Sequence, residues 1–132
     1  HFFWQRIRAE YSDKDIIYTN HVSDEELVAL YKGACVFVLP SFEEGFGIPL
    51  LEAMACGVPV VSSNGGSLQE VGSDSAIYFN PTDLVDMENK INMVLQSEKL
   101  RKGLIKKGFQ RIKLFSWEKM AQQTLGVYEK CV

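Results

Sequence analysis

Two short stretches, "ACVFVLP" (34–40) and "VPVVSS" (58–63), carry no charged residue and are dense in valine. Their length and β-branched content are those of strands buried on both faces of a parallel sheet. Parallel neighbours cannot be joined by a tight hairpin, so a helix must carry the chain back between them. The residues in between supply one. Pro49 suits the first turn of a helix, "LLEAMAC" continues it and Gly57 ends it. The same alternation extends outward. "DIIYTN" (15–20) and "AIYFN" (76–80) read as two more strands. Helices are expected over 2–12, where Phe3, Ile7 and Tyr11 recur, and over 23–33, where Ser23 and Glu26 form a capping box and Gly33 marks the stop. "NGGS" is a turn and "SLQEVG" a helix of one or two turns. Thr82 can cap "DLVDMENKINMVLQ", whose Leu84, Met87, Ile91, Val94 and Leu95 share a face. Ser97 can cap a helix reaching about Leu114, and Ser116 a last one, "WEKMAQQTLGVYEK". Alternating strands and helices imply one α/β domain over residues 1–132, a parallel sheet with helices on both faces. It opens on a helix, whereas a doubly wound domain opens on a strand, so the expected domain lacks its first strand or strands.

Composition narrows the partners. Fourteen basic and seventeen acidic residues leave a net charge of −3, which does not describe a nucleic-acid surface. The basic run from Lys99 to Lys113 reads as a solvated helix face. Cys35, Cys56 and Cys131 have no metal-like spacing; the first two lie in apolar stretches and read as core residues in a reducing compartment. No apolar run reaches the roughly 18 residues that span a bilayer, and residues 1–12 lack the pattern of a signal peptide. Trp117 and Tyr128 read as packing residues, and His21 as a turn residue.

The corner at Phe42 to Ile48 follows the first of the two apolar strands. In an open α/β sheet, ligands bind beyond the carboxyl ends of the strands. Gly45 and Gly47 remove side chains where backbone must come close to something. The helix mouth near Ile48 and Pro49 suits an anion such as a diphosphate. Glu52 can accept two hydrogen bonds from the hydroxyls of a ribose. Glu44 suits sugar hydroxyls or the cationic character of a glycosyl transition state. By spacing alone a second reading stays open: acidic residues favour helix starts without any ligand, and Glu52 can simply face solvent.

The longer stretch "PSFEEGFGIPLLEAMACGVPVVSSNGGSLQEVG" (40–72) closely resembles the donor-binding motif of the retaining glycosyltransferases of family 4. Their signature is a Glu, seven residues, then a Glu, with Gly-Phe-Gly inside and Glu-Ala-Met-Ala-x-Gly-x-Pro-Val after. Here Glu44, Gly45, Phe46, Gly47, Glu52, Ala53, Met54, Ala55, Gly57, Pro59 and Val60 match in register. The resemblance runs from about Asp15 to the end. It implies the C-terminal, Rossmann-like half of a two-domain GT-B enzyme that moves a hexose, mannose or glucose, from a GDP- or UDP-sugar to a saccharide or lipid-linked acceptor. It also implies that Glu52 holds the ribose, that Glu44 contacts the transferred sugar as the catalytic residue, and that Gly45, Phe46, Gly47 and Ile48 line the donor, with Val22 near the base. No catalytic metal or further cofactor is implied. The N-terminal acceptor domain is the implied partner, and the place is the cytoplasm, reaching the inner face of its membrane through the full-length enzyme. The family's upstream Arg and Lys have no match in Arg6, Arg8 or Lys14. A sugar-nucleotide epimerase of the same fold, or a non-catalytic nucleotide-binding or scaffold domain, are the alternatives. Phe2, Phe3 and Trp4 form an apolar start expected to make the isolated chain self-associate.

Overall fold

Short polar side chains set most of the helix starts. In the computed structural model, which describes residues 16–131, Ser23 accepts from the backbone of Glu26 while the Glu26 carboxylate accepts from Ser23 N at 2.8 Å. Helix α1 (Asp24–Gly33) begins there. It is followed by β1 (Phe37–Leu39), α2 (Ile48–Ala55), β2 (Val60–Ser63), α3 (Leu68–Gly72) and a 3₁₀ turn over Ser73–Ser75. Then come β3 (Ala76–Phe79), α4 (Leu84–Gln96), α5 (Glu98–Arg111), a 3₁₀ turn over Ile112–Leu114 and α6 (Trp117–Tyr128). Ser97 and Ser116 cap α5 and α6 as expected, accepting from Leu100 N and Lys119 N. The cap of α4 is Asp83 instead of Thr82. Its carboxylate accepts from Val85 N and Asp86 N, both at 3.0 Å, while Thr82 turns back to Asn80 Oδ1. A carboxylate at the cap also carries charge suited to the helix's positive end, which a hydroxyl lacks.

Among the described residues the sheet has three strands in the order β1-β2-β3, all parallel. Helices cover both faces. Val60 of β2 points into one cluster with Tyr31, Leu50, Ala53, Met54, Leu68 and Val71, so α1, α2 and α3 lie there. Val61 points into the other, with Phe79, Val94 and Leu104, and with Met87 and Ile91 beside them. This alternation is the two-residue period of a strand. Burial of Leu50 and Met54 on α2 stabilises by about 1.5–3 kcal/mol each.

Several expectations change. Residues 16–20 form no strand, and Ile17 is 84% exposed. A strand exists only through a ladder partner, and no described strand runs beside this segment. Asn20, at the end of this segment, takes the left-handed backbone that asparagine tolerates better than most residues, at φ 55°. The 34–40 stretch is half-buried or exposed instead of buried on both faces, because β1 is an edge strand among the described residues, and Cys35 just before it is exposed. Leu84 and Leu95 lie outside the buried face of α4, which runs through Met87, Ile91 and Val94. Trp117 and Tyr128 stand exposed, as does most of α6, which buries no residue against the described chain. The expected helix over 2–12, the apolar Phe2, Phe3 and Trp4, and Arg6, Arg8 and Lys14 lie outside the described residues.

The basic run divides in two. Lys102 pairs with Glu98 at 2.6 Å and Lys107 with Asp74 at 2.9 Å on the solvated side of α5, and Lys107 holds the Asp74 carboxyl below its usual range. Arg101 and Arg111 turn inward. Arg101 donates to Val94 O at 3.0 Å and to Leu95 O at the end of α4. Arg111 donates from Nε to Val71 O at 2.8 Å and from Nη2 to Glu70 O at 2.6 Å, capping α3.

Candidate functional site

The parallel register brings the loops after the three strands out along one edge of the sheet. Leu39 is level with Ser62, and Ser63 with Phe79. The loop over 40–47 therefore lies beside the turn over 64–67, and hydrogen bonds join them.

Glu44 sits in that first loop, half-buried. Its carboxylate accepts from Ser41 Oγ at 2.7 Å, which fixes its direction. Its carbonyl accepts from Ser67 N at 3.2 Å and Ser67 Oγ at 3.1 Å. Three residues on, Gly47 takes φ +92° and opens α2. Its backbone angle favours glycine, and a β-carbon there would stand 2.5 Å from Leu68 Cδ2, so that buried side chain would have to shift. No side chain caps the start of α2 and no acidic residue occupies its first turn. The positive end of the helix dipole is thus left without a side-chain partner, beside the loop that carries Glu44. Pro49 fills an early position whose N–H would have no helical acceptor.

Glu52 lies in the second turn of α2 and is exposed. Its Oε2 accepts from the Tyr31 hydroxyl at 3.3 Å. Tyr31 is 8% exposed and packs edge-on against Phe37, ring centroids 5.3 Å apart. Burial, then the Glu52 charge beside it, push the Tyr31 hydroxyl up to about 12. It therefore stays a proton donor at neutral pH, and Glu52 keeps its second oxygen for another hydroxyl. Phe46 faces outward from the loop and meets Phe115 edge-on at 5.8 Å, with the Arg111 guanidinium 5.2 Å from the Phe115 ring. Ile48 is exposed at the helix mouth. A β-carbon at Gly45 would meet nothing within 4 Å, so no described residue crowds that position.

Glu44, Gly45, Phe46, Gly47 and Ile48 thus form one continuous corner, with Glu52 one turn further along the helix. Val22 lines a shallow hollow with Thr19, Glu26, Ala29, Leu30, Gly33 and Ala34. Sequence reasoning missed Ser41, Tyr31, Ser63, Gly65, Gly66 and Ser67. Ser41 had a signal: a hydroxyl three residues before a carboxylate can reach it across a turn. Tyr31 had none, since 21 residues separate it from Glu52.

Residues 5–111 match the family model described as glycosyl transferases group 1. The chain belongs to this family. It is 42% identical over 126 residues to the O-antigen chain mannosyltransferase B of Escherichia coli, covering 96% of this chain and 33% of that protein. It is 39% identical over 133 residues to the MMP alpha-(1->4)-mannosyltransferase of Mycolicibacterium hassiacum, covering 97% of this chain and 32% of that one. The chain spans about a third of the length of these curated relatives. Among solved structures it resembles the sucrose-phosphate synthase of Thermosynechococcus elongatus, with TM-score 0.83, 32% identity, 97% of this chain covered and 33% of that one. It also resembles the C-terminal domain of a glycosyl transferase group 1 family protein of Francisella tularensis, with TM-score 0.70 and 26% identity, covering 86% of this chain and 60% of that one. The α/β fold, a parallel sheet with helices on both faces, is therefore that of known group 1 glycosyltransferases.

Proposed function

We propose that this chain forms the donor-binding part of a retaining family 4 glycosyltransferase of two domains. The enzyme transfers a hexose, mannose before glucose, from a GDP- or UDP-sugar to a saccharide or lipid-linked acceptor held by the partner domain, in the cytoplasm or at the inner face of its membrane. The observation that carries this reading is the corner itself: a carboxylate aimed by Ser41, a helix start without a side-chain cap, and a second carboxylate held by a buried tyrosine. The mannosyltransferase relatives support mannose as the sugar.

Each part has a chemical task. The start of α2 meets the diphosphate, which gains a further negative charge as the glycosidic bond breaks and is stabilised by backbone N–H groups and the dipole. Glu52 accepts from the ribose hydroxyls through the oxygen that Tyr31 does not use. Glu44 accepts from the hydroxyls of the transferred sugar and stabilises the positive charge that grows as the glycosidic bond lengthens. We assign it stabilisation rather than nucleophilic attack. Intact mass of the full-length protein after incubation with donor alone tests that assignment, since a glycosyl adduct on Glu44 would overturn it. The function itself is tested by initial rates with GDP-mannose, UDP-glucose and an acceptor panel. Glu44→Gln should lower kcat by about 10²-fold, whereas Glu52→Gln should mainly raise the donor KM. Unchanged kinetics in both variants would end the reading.

A further inference from the structure

The loop that carries Glu44 has no regular secondary structure between β1 and α2, so its shape must be imposed from outside. We infer that the Asn64–Ser67 turn and the Ser63 hydroxyl before it form a positioning clamp that sets the backbone of Glu44. This inference rests on the donor-site reading above for its functional consequence, though not for its geometry.

The clamp acts through hydrogen bonds and through close approach. Ser63, fully buried at the end of β2, donates its hydroxyl to Ser41 O at the start of the loop. Ser67 donates from both N and Oγ to Glu44 O, at 3.2 and 3.1 Å. Between them the two glycines let the turn lie against the loop backbone. A β-carbon at Gly65 would overlap Phe42 O and stand 2.8 Å from Phe42 C. One at Gly66, where φ is +56°, would overlap Glu44 O and stand 2.9 Å from Glu44 N. These neighbours are backbone atoms, which cannot swing aside as a side chain can.

The turn is itself tied to rigid structure, so it can impose a position instead of following one. Asn64 N donates to Phe79 O at 3.0 Å, binding the turn to β3. Leu68 N donates to Gly65 O at 3.3 Å and Val71 N to Ser67 O at 2.9 Å, binding it to α3. Leu68 is fully buried and abuts Gly47, the residue that opens α2. The carbonyl of Glu44 is thus held from the start of α3, while Ser41, itself held from β2 by Ser63, directs the carboxylate. Gly66 is exposed, so what an added methyl disturbs is this one contact and not the core.

The test uses the full-length protein with Gly66→Ala, Ser67→Ala and Ser67→Thr, and with Gly103→Ala as control. Gly103 lies on α5 with nothing within 4 Å of an added β-carbon. Hydrogen exchange of the amides over 41–47 should quicken at least about tenfold in Gly66→Ala and Ser67→Ala. It should return toward the parent rate in Ser67→Thr, which keeps the γ-hydroxyl, and stay unchanged in Gly103→Ala. With GDP-mannose as donor, kcat should fall by about 10²-fold in Gly66→Ala, the effect of roughly 1 Å of misplacement, with the donor KM within about threefold. Equal losses in Gly103→Ala, or a Gly66→Ala protein with parental exchange or parental kcat, would overturn the clamp. Should the parent protein transfer no hexose, the donor reading fails. Exchange then decides the clamp alone: faster exchange in both variants upholds it, and unchanged exchange overturns it.

Discussion

Removing one oxygen atom tests the link between the core and the proposed donor site. In Tyr31→Phe the ring keeps its place among Leu50, Ala53 and Met54 and its edge-on contact with Phe37. Only the hydroxyl bonded to Glu52 is lost. A hydrogen bond to a charged group contributes about 1.5–3 kcal/mol. This one is long, at 3.3 Å, and its acceptor is exposed, so water replaces the lost donor. The stability cost is therefore about 1 kcal/mol or less, a fall in Tm of about 4 °C. The functional cost is separate. On the proposed donor reading, a released Glu52 must be ordered by the ribose, at about 0.5–1.5 kcal/mol for one immobilised side chain. The donor KM should then rise about three- to tenfold with kcat unchanged, and in a Glu52→Gln background the same substitution should add little. Alkali supplies a third readout. The Tyr31 hydroxyl is pushed up to about 12, and burial does the same for Tyr78. An unfolded tyrosine titrates near 10. Between these values the unfolded chain has released protons that the folded chain retains, so stability is full below about pH 10 and falls as pH rises toward 12. Each tyrosine contributes at most about 1.4 kcal/mol per pH unit. Urea midpoints across that window should decline about half as steeply in Tyr31→Phe as in the parent. A variant with parental donor KM and a parental alkaline slope would refute the reasoning.

Arg111→Met keeps the aliphatic stem but removes both bonds to the end of α3 and the cation above Phe115. Urea denaturation should show a loss of about 2 kcal/mol, and a loss under about 0.5 kcal/mol would mean the cap carries no weight. Ser62→Ala removes a fully buried hydroxyl that makes no hydrogen bond among the described residues. The denaturation midpoint should rise, by an amount equivalent to about 1 kcal/mol, because a buried hydroxyl without a partner costs about 1–3 kcal/mol. A fall in the midpoint would show that the hydroxyl has a partner in solution.

Reading the chain before its fold succeeded where the controlling interaction is local. The caps at Ser23, Ser97 and Ser116 each involve a side chain and a backbone N–H three residues apart, so residue type and spacing are enough. The same holds for the mouth of α2 at Gly47 to Pro49, and for the burial of Val60 and Val61 on the central strand. It failed where the deciding partner is distant. The apolar run at 15–20 has strand composition but no described ladder neighbour, and Cys35 lies at an edge that composition does not mark. Arg101 and Arg111 share the composition of a solvated face, yet Arg111 bonds residues 40 and 41 positions away.

The candidate site divides in the same way. Glu44, Gly45, Phe46, Gly47 and Glu52 were legible because one strand-to-helix corner holds them all within nine residues of chain. What holds the Glu52 carboxylate and the Glu44 backbone was not, whereas the bond from Ser41 to the Glu44 carboxylate spans only three residues. Tyr31 reaches Glu52, and Ser67 reaches Glu44, only because the parallel sheet sets separate crossover units side by side. Residue type and spacing determine which groups stand at the corner, since capping and chain reversal involve neighbours only. The aim of Glu52 and the backbone position of Glu44 are decided by contacts between segments some twenty residues apart, which form only once α1 and the 64–67 turn have packed around β1 and β2.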